Sequence, residues 1–376
     1  MNQTERDIFF CLLRISLWNR EPDKFHLQGL LDRSDFSWPS ILKSFEEHAL
    51  LGVVADTILS LSEHTLLNEH QKNLIIQYVA NSHQLHFKTL QVLVEVFEKF
   101  EEIGCNPILL KGEGLAQLYP SRCLRACGDV DVYVGSKDFD KAVACLNSMC
   151  EERDLNHAVL SRHDYSIKYK GILFEIHFKP GYATVDKAEQ RFQELANYWL
   201  VPEKCQTITI LGKQFLIPAA QYNIIYVFEH LARHFRNSEL GIRQFLDWAL
   251  LLEKKDFQES ILKKNLEELF VLDAWKKLGG VLQEGLGMEK ILFSETCDCI
   301  LSKDLIRVVL SRGNFGQQKT YLEEKGKIFY LISLFKKSKD VALVFPEYSN
   351  KWLVNRLKES IGGYLKKMIK GKPNVK

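Results

Sequence analysis

The sequence predicts an α+β fold in which an antiparallel or mixed sheet, with helices on one side, lies between two helical units. Three observations favour this fold. Apolar residues recur at helical spacing in the first quarter of the chain. Short runs with strand-like composition follow within 106–178, and helical spacing dominates the remainder apart from a hairpin candidate at 207–217. We therefore expect an N-terminal helical unit at 1–100, a core at 101–190 and a mainly helical unit at 191–376.

Composition restricts the possible classes of protein. The 376 residues are 46% hydrophobic and 26% charged, which is typical of a folded globular chain. The net charge of +2 gives no global sign of a nucleic-acid or membrane partner, and no apolar run approaches the roughly 20 residues that span a bilayer. The nine cysteines are an odd number, and the first residues do not resemble a signal peptide. We therefore expect a cytoplasmic protein with reduced thiols and no membrane partner.

The first predicted strand, 106–110, ends at a turn formed by Lys111 and Gly112, after which helical spacing resumes as far as Pro120. Free backbone N–H groups and the dipole at the start of a helix favour an anion such as a triphosphate. Glycine lets the backbone approach that anion closely. The sequence therefore predicts a phosphate-binding turn here.

The second predicted strand, 129–134, alternates strictly between polar and apolar residues, and a helix at 137–149 follows it. Asp129 and Asp131 therefore point to the same face, about 7 Å apart along the backbone. Carboxylates at this spacing can bind a pair of divalent ions about 3.5 to 4 Å apart, and magnesium prefers such oxygen ligands. A strand with one solvated face gives the same pattern, so the alternation alone leaves that alternative open.

Two further strands, 164–169 and 172–178, are separated by a Lys-Gly pair with the glycine expected of a tight hairpin. In the second of them, Glu175 and His177 share the face opposite to the apolar residues. Glu175 is therefore the candidate for a third metal-binding carboxylate on a neighbouring strand. A phosphohydrolase or another two-metal enzyme would need additional His or Asp ligands, and the sequence indicates none near the core.

Two arginines lie just before the paired aspartates. Arg122 and Arg125 precede Gly128 by a few positions, which makes them candidates to bind phosphate groups through their guanidinium groups. Either of them could instead be a surface arginine.

The long helix predicted after Pro218 carries His230 and His234 at i, i+4, on one face. We expect these histidines to lie at the edge of the core or to line a cleft, because zinc ligation would need a third ligand that the sequence does not identify. Further along, Arg243 and Asp247 are also four positions apart. They form either an ion pair within a helix or part of the lining of a cleft.

Segments of the core resemble one known family. They are Leu109-Leu110-Lys111-Gly112, Tyr119-Pro120 with Arg122 and Arg125, the run from Gly128 to Val134, and Phe174-Glu175-Ile176-His177. These segments resemble the uncharacterised nucleotidyltransferase family of the DNA polymerase beta superfamily. The resemblance extends to Pro218, His230, His234, Arg243 and Asp247, and it covers the chain from near residue 20 to near residue 255. It implies a polymerase-beta-like nucleotidyltransferase core.

The resemblance also implies a reaction and a set of roles. The superfamily transfers a nucleoside monophosphate from a nucleoside triphosphate to an acceptor and releases pyrophosphate. Asp129 and Asp131 would bind two magnesium ions, with manganese as an alternative. Glu175 would bind the catalytic ion and help to deprotonate an acceptor hydroxyl. The nucleotide would be held by Lys111, Gly112, Arg122, Arg125 and Gly128, and the cleft lined by His177, His230, His234, Arg243 and Asp247.

This chain departs from the superfamily at the phosphate turn. The superfamily usually places Gly-Ser or Gly-Gly there, closer to the first aspartate, whereas this chain has Lys111 and Gly112 and a longer intervening helix. We therefore expect Lys111 to contact the β- or γ-phosphate. The acceptor is expected to be a small molecule or a protein rather than nucleic acid, because the core has no basic groove signal. The alternative is a catalytically inactive module that binds a nucleotide or a protein partner.

Overall fold

The structure is a computed structural model. It describes residues 1–61, 67–289, 291–293, 298–313 and 327–370, with the backbone alone for 327–329 and 359–370.

Five helices form the N-terminal part of the chain. They are α1 (Gln3–Trp18), α2 (Glu21–Leu31), α3 (Trp38–Glu47), α4 (Leu51–Ser60) and α5 (Glu69–Glu102). A capping box between Asn2 and Glu5 starts α1, and a second one between Asn68 and Gln71 starts α5. The predicted helical start of the chain is confirmed.

Seven strands form one mixed sheet in the middle of the chain. They are β1 (Ile108–Leu109), β2 (Val130–Tyr133), β3 (Val159–Leu160), β4 (Asp164–Tyr169), β5 (Ile172–His177), β6 (Gln206–Ile210) and β7 (Lys213–Ile217). Their order across the sheet is β3-β4-β5-β2-β1-β7-β6. The β2–β5 and β1–β7 pairs are parallel and the other pairs are antiparallel, so the prediction of a mixed sheet is confirmed.

The remaining helices either connect strands or follow the sheet. They are α6 (Glu113–Ala116), α7 (Gly135–Met149), α8 (Glu152–Leu155), α9 (Glu189–Trp199), α10 (Ala220–Asn237), α11 (Ile242–Lys254), α12 (Glu259–Glu268), α13 (Leu272–Glu284), α14 (Cys299–Leu310), α15 (Lys327–Ala342) and α16 (Pro346–Lys370). In the described part of the chain, no helix has both the length and the apolar character needed to cross a bilayer.

The two faces of the sheet have different neighbours. Val130 and Val132 on β2, together with Phe174 on β5, pack in one apolar core with residues of α5 and α7. Asp131 and Glu175 alternate with these residues and point to the opposite face, towards α10 and α11. The alternation therefore separates an apolar face from a polar face.

The hairpin from β6 to β7 joins the sheet although it follows residue 190, the predicted end of the core. Ile108 of β1 pairs with Leu216 of β7 in parallel. This pairing places the strand before the Lys-Gly turn beside the strand that leads into α10.

The N-terminal helices share a core with the C-terminal ones. Side chains of α1, α3 and α4 belong to the same buried cluster as those of α10, α11 and α13. Trp18 Nε1 donates a hydrogen bond to the Leu286 carbonyl at 3.0 Å, and Arg14 Nη1 donates one to the Gly285 carbonyl at 3.0 Å. The division into three units at residues 100 and 190 stays a prediction.

Candidate functional site

A cavity of about 430 Å³ lies between the polar face of the sheet and helices α10 and α11. All of the predicted site residues except Arg122 line it. They are Lys111, Gly112, Arg125, Gly128, Asp129, Asp131, Glu175, His177, His230, His234, Arg243 and Asp247. Residues separated by more than a hundred positions in the sequence therefore meet in one enclosed space.

Two carboxylates face each other across adjacent strands. Asp131 of β2 and Glu175 of β5 are direct partners in the parallel register, and Asp129 lies just before the start of β2. Asp131 is 1% exposed, whereas Asp129 is only partly buried. The three acidic side chains therefore line the cavity at different depths.

Asp131 has two polar partners. Its Oδ1 atom lies 3.0 Å from Lys111 Nζ and 3.0 Å from His177 Nε2. Burial opposes ionisation of Asp131, but Lys111 and His177 together hold the pKa of its carboxyl well below the usual range. Because an ionised carboxylate only accepts hydrogen bonds, His177 carries a proton on Nε2.

The other two carboxylates are shifted in the opposite direction. Burial, followed by the nearby charges of Asp131 and Asp129, raises the pKa of Glu175 to about 8. Burial and the charge of Asp131 likewise raise the pKa of Asp129, although Lys111 opposes this shift. Burial and the neighbouring carboxylates therefore both oppose ionisation of Glu175 and Asp129.

This donor set suits a divalent cation. Asp131, Glu175 and His177 each offer one potential ligand atom, and these atoms lie within 4.8 Å of one another. The raised pKa values of Glu175 and Asp129 are what crowded carboxylates show when a compensating positive charge would favour their ionisation. The residues present therefore fit magnesium or manganese, with His177 as a neighbour of the carboxylates.

The cationic side of the cavity includes an arginine that sequence reasoning did not assign. Arg233 Nη2 donates to His230 Nδ1 at 3.0 Å, and Lys111 Nζ lies 3.4 Å from the same nitrogen. Burial, with smaller contributions from nearby cations, keeps the pKa of His230 well below its ordinary value, so its ring is neutral. Arg233 also lies over the Tyr182 ring, 4.6 Å from its centroid. Its position in α10, one turn after His230, could have suggested this role.

Arg125 reaches the cavity, but its charge is balanced by Asp247. Its guanidinium binds the Asp247 carboxylate in a bidentate pair at 2.7 and 2.9 Å, and the Tyr119 hydroxyl donates to the same carboxylate at 2.8 Å. Arg125 and Asp247 are both buried. The structure therefore pairs Asp247 with Arg125, whereas Arg243 donates a hydrogen bond to the carbonyl of Ala126. These contacts fix the chain before Gly128 against α11.

The turn after β1 differs from the prediction. The helix that follows, α6, has four residues, so its dipole adds little to anion binding. Gly112 has φ of 53°, and a Cβ atom there would lie 3.4 Å from the Asp129 carbonyl. Glycine is therefore favoured by the backbone conformation itself. The positive charge at this turn comes from Lys111.

Arg122 is not part of the cavity. It begins a 3-10 turn, Arg122–Leu124, and its side chain is exposed. The turn directs Leu124 into the core and Arg122 to solvent. The prediction that Arg122 holds the nucleotide therefore receives no support from its position.

His234 lies beside His230, with the ring centroids 4.3 Å apart, and also 3.5 Å from Glu239. Within the described residues, neither histidine belongs to a group of three potential metal ligands. Two other potential metal ligands line the cavity, although the sequence analysis identified no additional His or Asp ligands near the core. They are His163 and Asp164, at the start of β4.

The mixed sheet with its flanking helices and the cavity of carboxylates and cations are consistent with a nucleotidyltransferase-type core. The comparison with protein families agrees. A family model described as "uncharacterised nucleotidyltransferase" matches residues 34–282, and the chain belongs to this family. Comparisons with curated proteins and with solved structures gave no significant match.

Proposed function

We propose that this protein is a metal-dependent enzyme that transfers a nucleoside monophosphate from a nucleoside triphosphate to a hydroxyl acceptor and releases pyrophosphate. One observation carries the proposal. Asp131 and Glu175 are register partners on parallel strands, with Asp129 beside them, in a cavity that also contains Lys111 and Arg233. Anionic ligands and cationic side chains in one cavity suit a metal-bound triphosphate.

Asp129, Asp131 and Glu175 would hold two magnesium or manganese ions. Such ions orient a nucleotide and neutralise charge that develops on its phosphate oxygens. This assignment rests on the donor chemistry of the three carboxylates and on the raised pKa values of Asp129 and Glu175.

The protein's own residues suggest how the reacting groups are placed. Lys111, at the turn after β1, is suited to a β- or γ-phosphate, and Arg233 offers a second cation. Glu175 lines the same cavity and would accept the proton of the acceptor hydroxyl. The acceptor oxygen then bonds to the α-phosphorus, the bond to the pyrophosphate oxygen breaks, and pyrophosphate leaves.

A small molecule or a protein hydroxyl is the proposed acceptor. The cavity of about 430 Å³ is enclosed on several sides, and Arg125 is already paired with Asp247, which leaves little basic surface for a nucleic-acid backbone. We also propose a cytoplasmic location, because the eight cysteines in the described part of the chain are free thiols.

One contact favours a second candidate, a nucleotide-binding module without catalysis. The Lys111 ammonium lies 3.0 Å from Asp131 Oδ1 and already compensates the most buried of the carboxylates. In such a module, nucleotide would bind without release of pyrophosphate.

The test uses the full chain, each α-labelled nucleoside triphosphate, magnesium and a fractionated cell extract as the source of acceptor. Asp131→Asn and Glu175→Gln are each expected to lower the rate of label transfer at least about 1,000-fold, because both remove a charged group from the reacting centre. The matched control is Asp140→Asn, an exposed aspartate on α7 behind the sheet, which should transfer label normally.

Full transfer by either variant would falsify the assignment of these carboxylates. Magnesium-dependent binding of nucleotide by the wild-type chain, with no release of pyrophosphate in any fraction, would establish the non-catalytic module instead. Circular dichroism of each variant separates loss of activity from loss of fold.

A further inference from the structure

Two histidines and an aspartate form a second group of potential ligands on the cavity wall. His163 and Asp164 stand at the start of β4, and Asp164 is the antiparallel register partner of His177 at the end of β5. One ring nitrogen of each histidine and one carboxylate oxygen of Asp164 all lie within 4.8 Å of one another. The group therefore has two imidazoles and one carboxylate within reach of a single ion.

Two buried polar atoms of this group have no hydrogen-bond partner within the described part of the chain. They are Asp164 Oδ1 and His177 Nδ1. Asp164 is 5% exposed and His177 is 1% exposed, and both line the cavity. A buried acceptor without a partner is unfavourable, and a charged one is more so, so a ligand at this position would remove that cost.

The contact between His163 and Asp164 does not account for these atoms. His163 Nε2 lies 3.3 Å from Asp164 Oδ2, which can be a simple hydrogen bond between neighbours in the sequence. That bond leaves the other carboxylate oxygen of Asp164 and the His177 Nδ1 lone pair unused. A hydrogen-bonded pair alone therefore explains only part of the arrangement.

The contacts of His177 leave one of its ring nitrogens available to a metal ion within the described part of the chain. Asp131 accepts the Nε2 proton of His177, which leaves the free lone pair on Nδ1. A carboxylate on one ring nitrogen of a histidine is the usual outer partner of a metal ligand.

We infer that His163, Asp164 and His177 bind a transition-metal ion of the zinc type. Imidazole nitrogens with one carboxylate favour zinc or cobalt over magnesium, which prefers oxygen ligands. Three protein ligands leave a coordination position open towards the cavity, the arrangement found in zinc sites that bind a further ligand. This site shares His177 with the carboxylate group described above, but it needs neither Asp129 nor a nucleotide.

The test measures binding of Co²⁺ and Zn²⁺ to the full chain after treatment with a chelator, in buffer with excess Mg²⁺. We expect one Co²⁺ per chain with visible d–d absorption, displaced by Zn²⁺ but not by more Mg²⁺. Asp164→Asn and His163→Gln should each weaken Co²⁺ binding about 100-fold or more. His157→Gln, at an exposed histidine outside the cavity, should bind Co²⁺ as the wild type does.

The outcomes separate this site from the carboxylate site. Asp129→Asn should keep full Co²⁺ affinity even if it abolishes label transfer. Paramagnetically shifted imidazole signals in the NMR spectrum of the wild-type Co²⁺ complex test histidine ligation without any variant. Failure of the wild type to bind Co²⁺ at micromolar concentration, unchanged binding by Asp164→Asn, or a complex with no shifted imidazole signal would each overturn the proposal.

Discussion

The two faces of the central sheet use alternate residues of the same strands and have opposite properties. Phe174 is completely buried among apolar side chains from α5 and α7, whereas the next residue, Glu175, enters the polar cavity. Burial of the apolar side chains on the first face stabilises the folded state. The cavity face instead buries like charges next to each other, which raises the pKa of Glu175 to about 8.

This difference shows that adjacent residues of one strand have separate roles: one stabilises the fold, and the next lines the polar cavity. Three buried carboxylates as close together as those of Asp131, Asp129 and Glu175 lower the stability of the fold unless a cation compensates their charge. The opposite face must therefore hold the two strands in register. The closest test compares one substitution on each face of β5.

Phe174→Ala is expected to have the largest effect on stability. It removes a fully buried aromatic ring, so the free energy of unfolding should fall by about 3 to 5 kcal/mol. Glu175→Gln, one position later, should leave that free energy unchanged or raise it, because near neutral pH the Glu175 carboxyl must take up a proton when the chain folds, whereas Gln need not. Urea unfolding of the two variants, without metal ions, measures the difference. Equal losses in both would contradict the separation of the faces.

The next test concerns the charged groups that border the cavity. Asp247→Asn leaves the buried guanidinium of Arg125 without its counter-ion, so the free energy of unfolding should fall by about 3 kcal/mol. The control is Glu253→Gln, at an exposed acid on the same helix, α11, which should change stability by less than about 0.5 kcal/mol. A small loss in Asp247→Asn would mean that water or another group already compensates Arg125.

A smaller effect is expected in the helical layer, where burial acts on a histidine without charged neighbours. Burial lowers the pKa of His48 to about 4, and its ring accepts from Ile242 N–H at 3.3 Å and lies 3.4 Å from the Leu310 carbonyl. The unfolded chain binds this proton near pH 6.5 and the folded chain only near pH 4. Stability from His48 is therefore complete above pH 6.5 and is lost as the pH falls towards 4.

The measurement is urea unfolding of the wild type and His48→Gln at pH 7 and pH 4.5. The wild type should lose about 2 to 3 kcal/mol more than the variant between these two pH values. His26→Gln, at an exposed histidine, should lose as much as the wild type. Parallel losses in all three proteins would show that His48 does not contribute to acid sensitivity.

The local features of the fold could be predicted from the sequence. Alternation in β2 and β5 needs only a period of two, so the faces of Val130, Asp131 and Glu175 followed from the sequence and are confirmed. The hairpin at Lys170 and Gly171 was also predictable, because a tight two-residue turn favours glycine. In the structure both residues adopt positive φ, at 51° and 82°. The mixed sheet and the family were predicted correctly.

Features that depend on distant pairing or on turn geometry could not be predicted. The 3-10 turn that directs Arg122 to solvent has no periodic signal. His163 lies in the bend just before β4 and Asp164 is the first residue of that strand, and only the register with His177 shows that they reach the cavity. For Asp247 the sequence left open an ion pair within its own helix or a place in the cleft lining, and it did not indicate the actual partner, Arg125, which lies 122 positions away.

The parallel pairing of β1 with β7 has a consequence for synthesis of the chain. Ile108 cannot meet Leu216 until the ribosome has made the residues between them, and closing so long a loop slows folding. The hairpin of β4 and β5 can form early, but α10, which supplies His230 and Arg233, emerges only after β7. A nascent chain thus carries its acidic strands unshielded by that helix, and for this interval a chaperone or a metal ion in the cell can reach them.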